Sequence, residues 1–137
     1  MTDRILESAL YASDLDAAEA FYGGLLGLAR VSRAGDRHVF FRVGPAMLLI
    51  FNPAETAKPA APGALPVPAH GATGPGHLAF AATAEDLDRW RDRLTQAGVP
   101  VEADFRWPGS NARSLYVRDP AGNSIEFAEP RLWDLPD

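Results

Sequence analysis

The chain has 137 residues, is 47% hydrophobic and 23% charged, and carries a net charge of −5. That is enough apolar material for one domain with a real core, and the balance excludes a disordered chain. A pI near 5.1 without any basic run disfavours nucleic-acid and anionic-membrane partners, and the lack of cysteine removes disulfides and thiolate chemistry. Met1-Thr2-Asp3-Arg4 has neither the basic nor the apolar region of a signal peptide, and no apolar run is long enough to span a bilayer, so a cytoplasmic protein is expected.

A first short strand is expected over residues 5–12. A helix follows from Ser13 or Asp14, with Ser13 and Asp16 at capping-box spacing and an apolar stripe of Leu15, Ala18, Tyr22 and Leu25. Gly27 stands where that helix should stop. Strand-like runs come next, weak at 28–33 and strong at 38–43 and 46–51. Residues 52–76 hold six prolines and few large apolar side chains, which reads as a long loop.

The pattern then repeats. A strand at 77–82 leads into a helix near Thr83, with Asp86 three residues on, a stripe of Leu87, Trp90, Leu94 and Ala97, and Gly98 at its end. Strands are expected weakly at 99–104 and strongly at 113–118 and 124–128. The unit is β-α-β-β-β, twice: module one 1–52, linker 53–75, module two 76–130 and a tail 131–137, whose Trp133 is expected to pack onto the fold. This is an α+β fold, with mixed sheets backed by helices.

Period-two alternation sorts the strand residues. Large apolar side chains (Leu10, Val39, Phe41, Leu78, Phe80, Leu115, Val117, Ile125, Phe127) face the helices. The opposite face is small, polar or aromatic, and a sheet curled around it would make a lined cup. Glu7, His77 and Glu126 share that face at equivalent strand positions. Carboxylate and imidazole are ligands for Zn, Ni, Co, Mn or Fe, and three such ligands leave positions open for water or substrate. Mixed ionisable clusters also form purely structural networks, a lone strand-start histidine is commonly a satisfied polar residue, and Glu7 could simply be exposed.

The segments "ESALYASDLDAAEAFYGGLLGL", "GHLAFAATAEDLDRWRDRLTQAGV" and "RSLYVRDPAGNSIEF" resemble the vicinal oxygen chelate superfamily, the group of glyoxalase I, bleomycin-resistance proteins, fosfomycin-resistance transferases and extradiol dioxygenases. The resemblance implies tandem βαβββ modules forming a cup-shaped mixed sheet around a divalent metal, with helices on the outer face. It places the metal ligands on Glu7, His77 and Glu126; of these, Glu7 or Glu126 could double as the catalytic proton carrier. Position 7 is commonly His or Gln in that group. The extra carboxylate of glyoxalase I would fall on Leu48 or Leu49, neither of which can bind metal. The resemblance further implies a homodimer whose sites are shared between chains, Glu7 of one copy meeting His77 and Glu126 of the other.

Further substrate-binding candidates fall on the same face or its rim. Arg42 and Arg118 either pair with an anionic substrate or form rim salt bridges. Ser114 and Tyr116 can donate hydrogen bonds, and Tyr11 and Phe40 can wall the site. His38 is either a base near the ligands or a rim histidine. Trp107, with Arg106, Ser110 and Asn111, occupies a loop suited to a lid. His70, within the proline-rich segment, either closes over the site or has no role. Two function classes are consistent with this set. One is a metal-dependent lyase or isomerase acting on a small oxygenated substrate, with an extradiol-type dioxygenase less favoured. The other is a metal-free drug-binding protein of the bleomycin-resistance kind.

Overall fold

Alternation along the strands and a capped helix after the first strand build each half of the chain. The computed structural model describes residues 1–137, and its contacts fall into two units, Met1–Gly74 and Pro75–Asp137. No helix is long and apolar enough to cross a membrane.

In the first unit β1 (Glu7–Tyr11), β2 (Ala29–Ala34), β3 (His38–Val43) and β4 (Ala46–Phe51) form a sheet in the order β1-β4-β3-β2, with β1 parallel to β4 and the other pairs antiparallel. Val39, Phe41, Leu48 and Ile50 are buried. They meet α1 (Leu15–Glu19), which Asp14 caps by accepting the Ala17 amide at 3.0 Å. Asp14, not Ser13, is therefore the cap.

From Ala20 to Leu25 the helix widens into a π-helix, and the Leu26 amide reaches back five residues to the Phe21 carbonyl at 2.9 Å. The extra residue per turn shifts the apolar stripe. Leu15, Ala18 and Tyr22 are buried as expected, but Leu26 takes the next core position in place of Leu25. Gly23 lies against β3 here, since a Cβ on it would sit 3.2 Å from a Phe41 ring carbon.

The proline-rich segment is more ordered than its composition suggests. Asn52 caps a short α2 (Pro53–Thr56), with Pro53 at the first position, where its missing N–H costs nothing. The buried Thr56 then accepts the His70 amide at 2.9 Å, which returns the segment to the sheet.

The second unit repeats the plan. Its strands β5 (His77–Ala81), β6 (Ala103–Arg106), β7 (Arg113–Arg118) and β8 (Ser124–Ala128) run in the order β5-β8-β7-β6, with β5 parallel to β8. Thr83 and Asp86 form the expected capping box on α3 (Ala84–Gln96), each side chain accepting the other's backbone amide. Leu87 and Leu94 are fully buried, and Trp90 stacks on Phe127 with ring centroids 4.9 Å apart.

The strand expected at 99–104 starts instead at Ala103. The Val99 amide still closes the helix onto the Leu94 carbonyl at 2.9 Å, and Pro100 has no N–H to offer a ladder. After β8 the chain turns through a 3₁₀ helix, Pro130–Trp133. Trp133 does not pack onto the core as expected; it is 76% exposed.

Candidate functional site

Strand register decides which side chains are equivalent in the two units. β1 and β4 pair Glu7 with Met47 and Ala9 with Leu49, while β5 and β8 pair His77 with Ser124 and Ala79 with Glu126. Glu7 and His77 thus hold the same place, and Leu49 holds the place of Glu126. By the same logic Phe40 matches Tyr116, His38 matches Ser114, and Arg42 matches Arg118.

His77 and Glu126 meet in the second unit. The Nδ1 of His77 lies 3.0 Å from the Ser124 carbonyl oxygen, which can only accept, so Nδ1 carries the proton of the neutral ring. In that neutral form Nε2 presents its lone pair, 3.2 Å from Oε2 of Glu126, whereas a protonated ring would donate to that oxygen. A lone pair facing a carboxylate is repulsive unless a proton or a cation lies between them. The separation suits two neighbouring ligands of one ion, each at roughly 2.0–2.2 Å. His77 is half-exposed and Glu126 is buried, so solvent reaches the pair mainly from the imidazole side. The residues present therefore fit a divalent cation.

The carboxylate is held from behind. Ser114, fully buried, donates its hydroxyl to Oε1 of Glu126 at 2.6 Å, and the Trp107 indole N–H donates to the Ser114 Oγ at 2.8 Å. Ser114 and Trp107 thus orient Glu126. Hydrogen bonds of this kind fix the orientation of a carboxylate; with Glu126 as an ion's ligand, Ser114→Ala should weaken zinc affinity by about 10–100-fold, measured by competition against a chromogenic chelator. Tyr116 sits opposite Glu126 on β7, its ring stacked between His77 and Phe105. Burial, then the Glu126 carboxylate, push its phenol up to about 12, so it stays protonated and able to donate.

Glu7, exposed on β1, lines a hollow of about 440 Å³ in the first unit together with Leu49, Phe51 and His70. Within either unit no three His, Asp or Glu side chains come together as a metal-binding group. Tyr11 and His70 share a hydrogen bond of 2.8 Å between the phenol and Nδ1, and the His70 ring stands edge-on to Phe51 at 4.6 Å. Sequence reasoning treated Tyr11 as a wall and left His70 open. Their pairing depends on the fold-back of the proline-rich segment, for which 59 residues of separation give no local signal.

His38 stacks on Phe40 at 4.0 Å, and its buried Nδ1 has no partner. Desolvation, with a smaller contribution from Arg37, lowers its pKa below the usual 6.5. The folded protein therefore binds fewer protons at His38 than the unfolded chain does. Stability is lost as pH falls from the unfolded value toward the lower folded one, and no further below it. His38→Phe should flatten thermal stability across mildly acidic pH, as read by calorimetry.

The arginines are less central. Arg118 is clamped by Glu102 at 2.6 and 2.8 Å and also donates to the Gly122 carbonyl, making it an exposed ion pair. Arg42 is exposed opposite Met47. Arg106 donates to the Asn111 carbonyl at 3.0 Å, and the Ser110 hydroxyl accepts the Ala112 amide at 3.1 Å, so the Trp107 loop is internally tied.

This topology is shared with known proteins. A profile of the Glyoxalase/Bleomycin resistance protein/Dioxygenase superfamily matches residues 4–127. The chain is 44% identical to a lactoylglutathione lyase from Agrobacterium tumefaciens, covering 99% of this chain and 100% of that one, with a TM-score of 0.93. A virulence protein from Salmonella typhimurium (24% identity, 94% and 98% covered, TM-score 0.68) and a fosfomycin resistance protein from Listeria monocytogenes (17%, 94% and 94%, 0.68) share the fold. No curated protein matches the chain. The 44% likeness runs through both βαβββ units, so the duplication is shared whole, and the chain belongs to the Glyoxalase/Bleomycin resistance protein/Dioxygenase superfamily.

Proposed function

We propose that the protein is a divalent-metal-dependent lyase or isomerase of glyoxalase type, acting on a small oxygenated substrate. The observation that carries this reading is Nε2 of His77 lying 3.2 Å from Oε2 of a buried, hydroxyl-anchored Glu126. The 44% identity to a lactoylglutathione lyase supports lyase chemistry. His77, Glu126 and Glu7 would hold the ion. When bound, it would supply Lewis acidity to two adjacent substrate oxygens.

The chain's own residues perform the rest. Glu126 takes and returns a proton at Oε2, while Ser114 holds Oε1 in place. Tyr116, protonated throughout the working range, donates to a developing oxyanion. His77 keeps its ring orientation through the Ser124 carbonyl. Two carboxylates and one imidazole balance a divalent charge, which favours proton transfer over dioxygen activation. Leu49 at the position of a further carboxylate leaves room for a chelating substrate.

The test is metal content of purified protein, with His77→Ala as control. It is followed by anaerobic loading of apoprotein with Fe(II), Mn(II), Ni(II) or Zn(II) and a screen of hemithioacetals, 2-oxo acids and catechols. Stoichiometric metal lost in the variant is expected. Ring cleavage confined to Fe(II) would favour a dioxygenase. Tight drug binding without metal would favour the sequestering alternative, for which the Tyr11, Phe40 and Phe51 surface is suited.

The proposed active form is a homodimer, with Glu7 reaching His77 and Glu126 of a second copy. Mixing Glu7→Gln and His77→Ala chains should then restore about one quarter of wild-type activity, because half the dimers are mixed and each carries one intact site. Sites built from single chains would leave the mixture inactive.

A further inference from the structure

The two units differ in bulk at equivalent positions. The first places Tyr11 beside Phe51, with ring centroids 6.3 Å apart, at the register pair where the second has Ala81 beside Ala128. With Ala79 on the same face, these alanines leave a hollow of about 270 Å³, closed on one side by Leu132 and Trp133 of the tail. Glu126 lines it, so the hollow adjoins the His77–Glu126 pair. The other carboxylate there, Glu129, is engaged by the Arg113 amide at 2.7 Å and by Arg131 at 3.0 Å. The remaining walls are apolar, and the volume exceeds the roughly 150 Å³ of a cavity that accepts a benzene ring.

We infer that this hollow seats an aryl or branched apolar limb of the substrate, attached to the oxygens held at His77 and Glu126. The inference rests on the proposed site and adds the class of substrate. An apolar pocket beside a polar head-group site selects by size: a limb that fills it removes apolar surface from water, and a methyl group leaves it partly empty. Ala81 and Ala128 are then specificity-determining residues. Their smallness, set against Tyr11 and Phe51, keeps the hollow open. Trp133, exposed in the absence of such a limb, is its outer wall.

The experiment is direct binding of two 2-hydroxy acids, lactate and mandelate, which differ only by methyl and phenyl. Both are titrated into zinc-loaded protein by calorimetry, with Trp emission as a second readout. Mandelate should bind at least about 10-fold more tightly. Ala81→Phe and Ala128→Phe, which restore the first unit's bulk, should abolish that ratio, mandelate losing far more affinity than lactate. Trp133→Ala, at an exposed position that folding does not need, should lower the ratio. Equal affinities, no mandelate binding, or a ratio unchanged in both phenylalanine variants would overturn the inference. So would a Trp133→Ala protein whose oligomeric state changes while the ratio does not. Zinc removal and His77→Ala address the underlying site: binding of both acids that ignores them sinks the metal reading, while a surviving phenyl preference still supports the hollow.

Discussion

Replacing Glu126 with glutamine is expected to lower turnover by about 10²–10⁴-fold, the range contributed by a positioned proton carrier. The amide keeps the shape of the side chain and an oxygen able to accept from Ser114, so folding should survive. What disappears is the negative charge opposite Nε2 of His77 and the basic oxygen beside it. Metal retention should fall as well, because a neutral amide is a poor ligand for a hard or borderline cation. Elemental analysis, kcat and a thermal melt on the same preparation check all three. Unchanged turnover at full metal content would remove Glu126 from the chemistry. Glu126→Asp separates position from charge: the charge stays but retreats by one methylene from His77, so metal should be retained better than in the glutamine variant while turnover still drops.

Phe127→Ala should be the most damaging core substitution in the second unit. The ring is 1% exposed, stacked against Phe80 at 5.6 Å and Trp90 at 4.9 Å, and it joins β8 to α3. Truncation loses the burial of an aromatic ring and leaves a cavity between sheet and helix, at about 3–5 kcal/mol. Against a total stability of roughly 5–15 kcal/mol, that removes much of the margin. Denaturant unfolding followed by tryptophan emission and circular dichroism should show a lower midpoint. A loss under about 1 kcal/mol would mean that Trp90 and Phe80 collapse into the space. Because Phe127 and Glu126 point to opposite faces of β8, the two variants separate stability from chemistry.

The strands at 38–43, 46–51, 113–118 and 124–128 were legible because each carries its own alternation, bounded by turn residues such as Gly44-Pro45 and Asp119-Pro120. The capping box of α3 was legible for the same reason: Thr83 and Asp86 are three residues apart, and the interaction is local. The face shared by His77 and Glu126 followed from counting in twos along their strands. Where counting failed, the local backbone had left the regular period. The π-helix from Ala20 to Leu25 inserted a residue into a 3.6-residue count and moved the core position to Leu26. The tail could not be read from composition, which cannot tell an apolar side chain that packs from one that walls an open hollow.

The sequence alone determined the duplicated βαβββ plan, the faces of its strands and the identity of the ionisable residues, because each depends on neighbours within one turn or one strand. Register and hydrogen-bond direction came only with the tertiary structure. Pairing β1 with β4 placed Leu49, not Leu48, at the counterpart of Glu126. Pairing β5 with β8 set the Ser124 carbonyl against Nδ1 of His77 and so turned Nε2 toward the carboxylate. The Trp107–Ser114–Glu126 chain and the Tyr11–His70 bond likewise join residues from different strands and loops. A donor's partner across a sheet is set by the backbone ladder that aligns the strands, and a one-residue slip would send every one of these side chains to the other face.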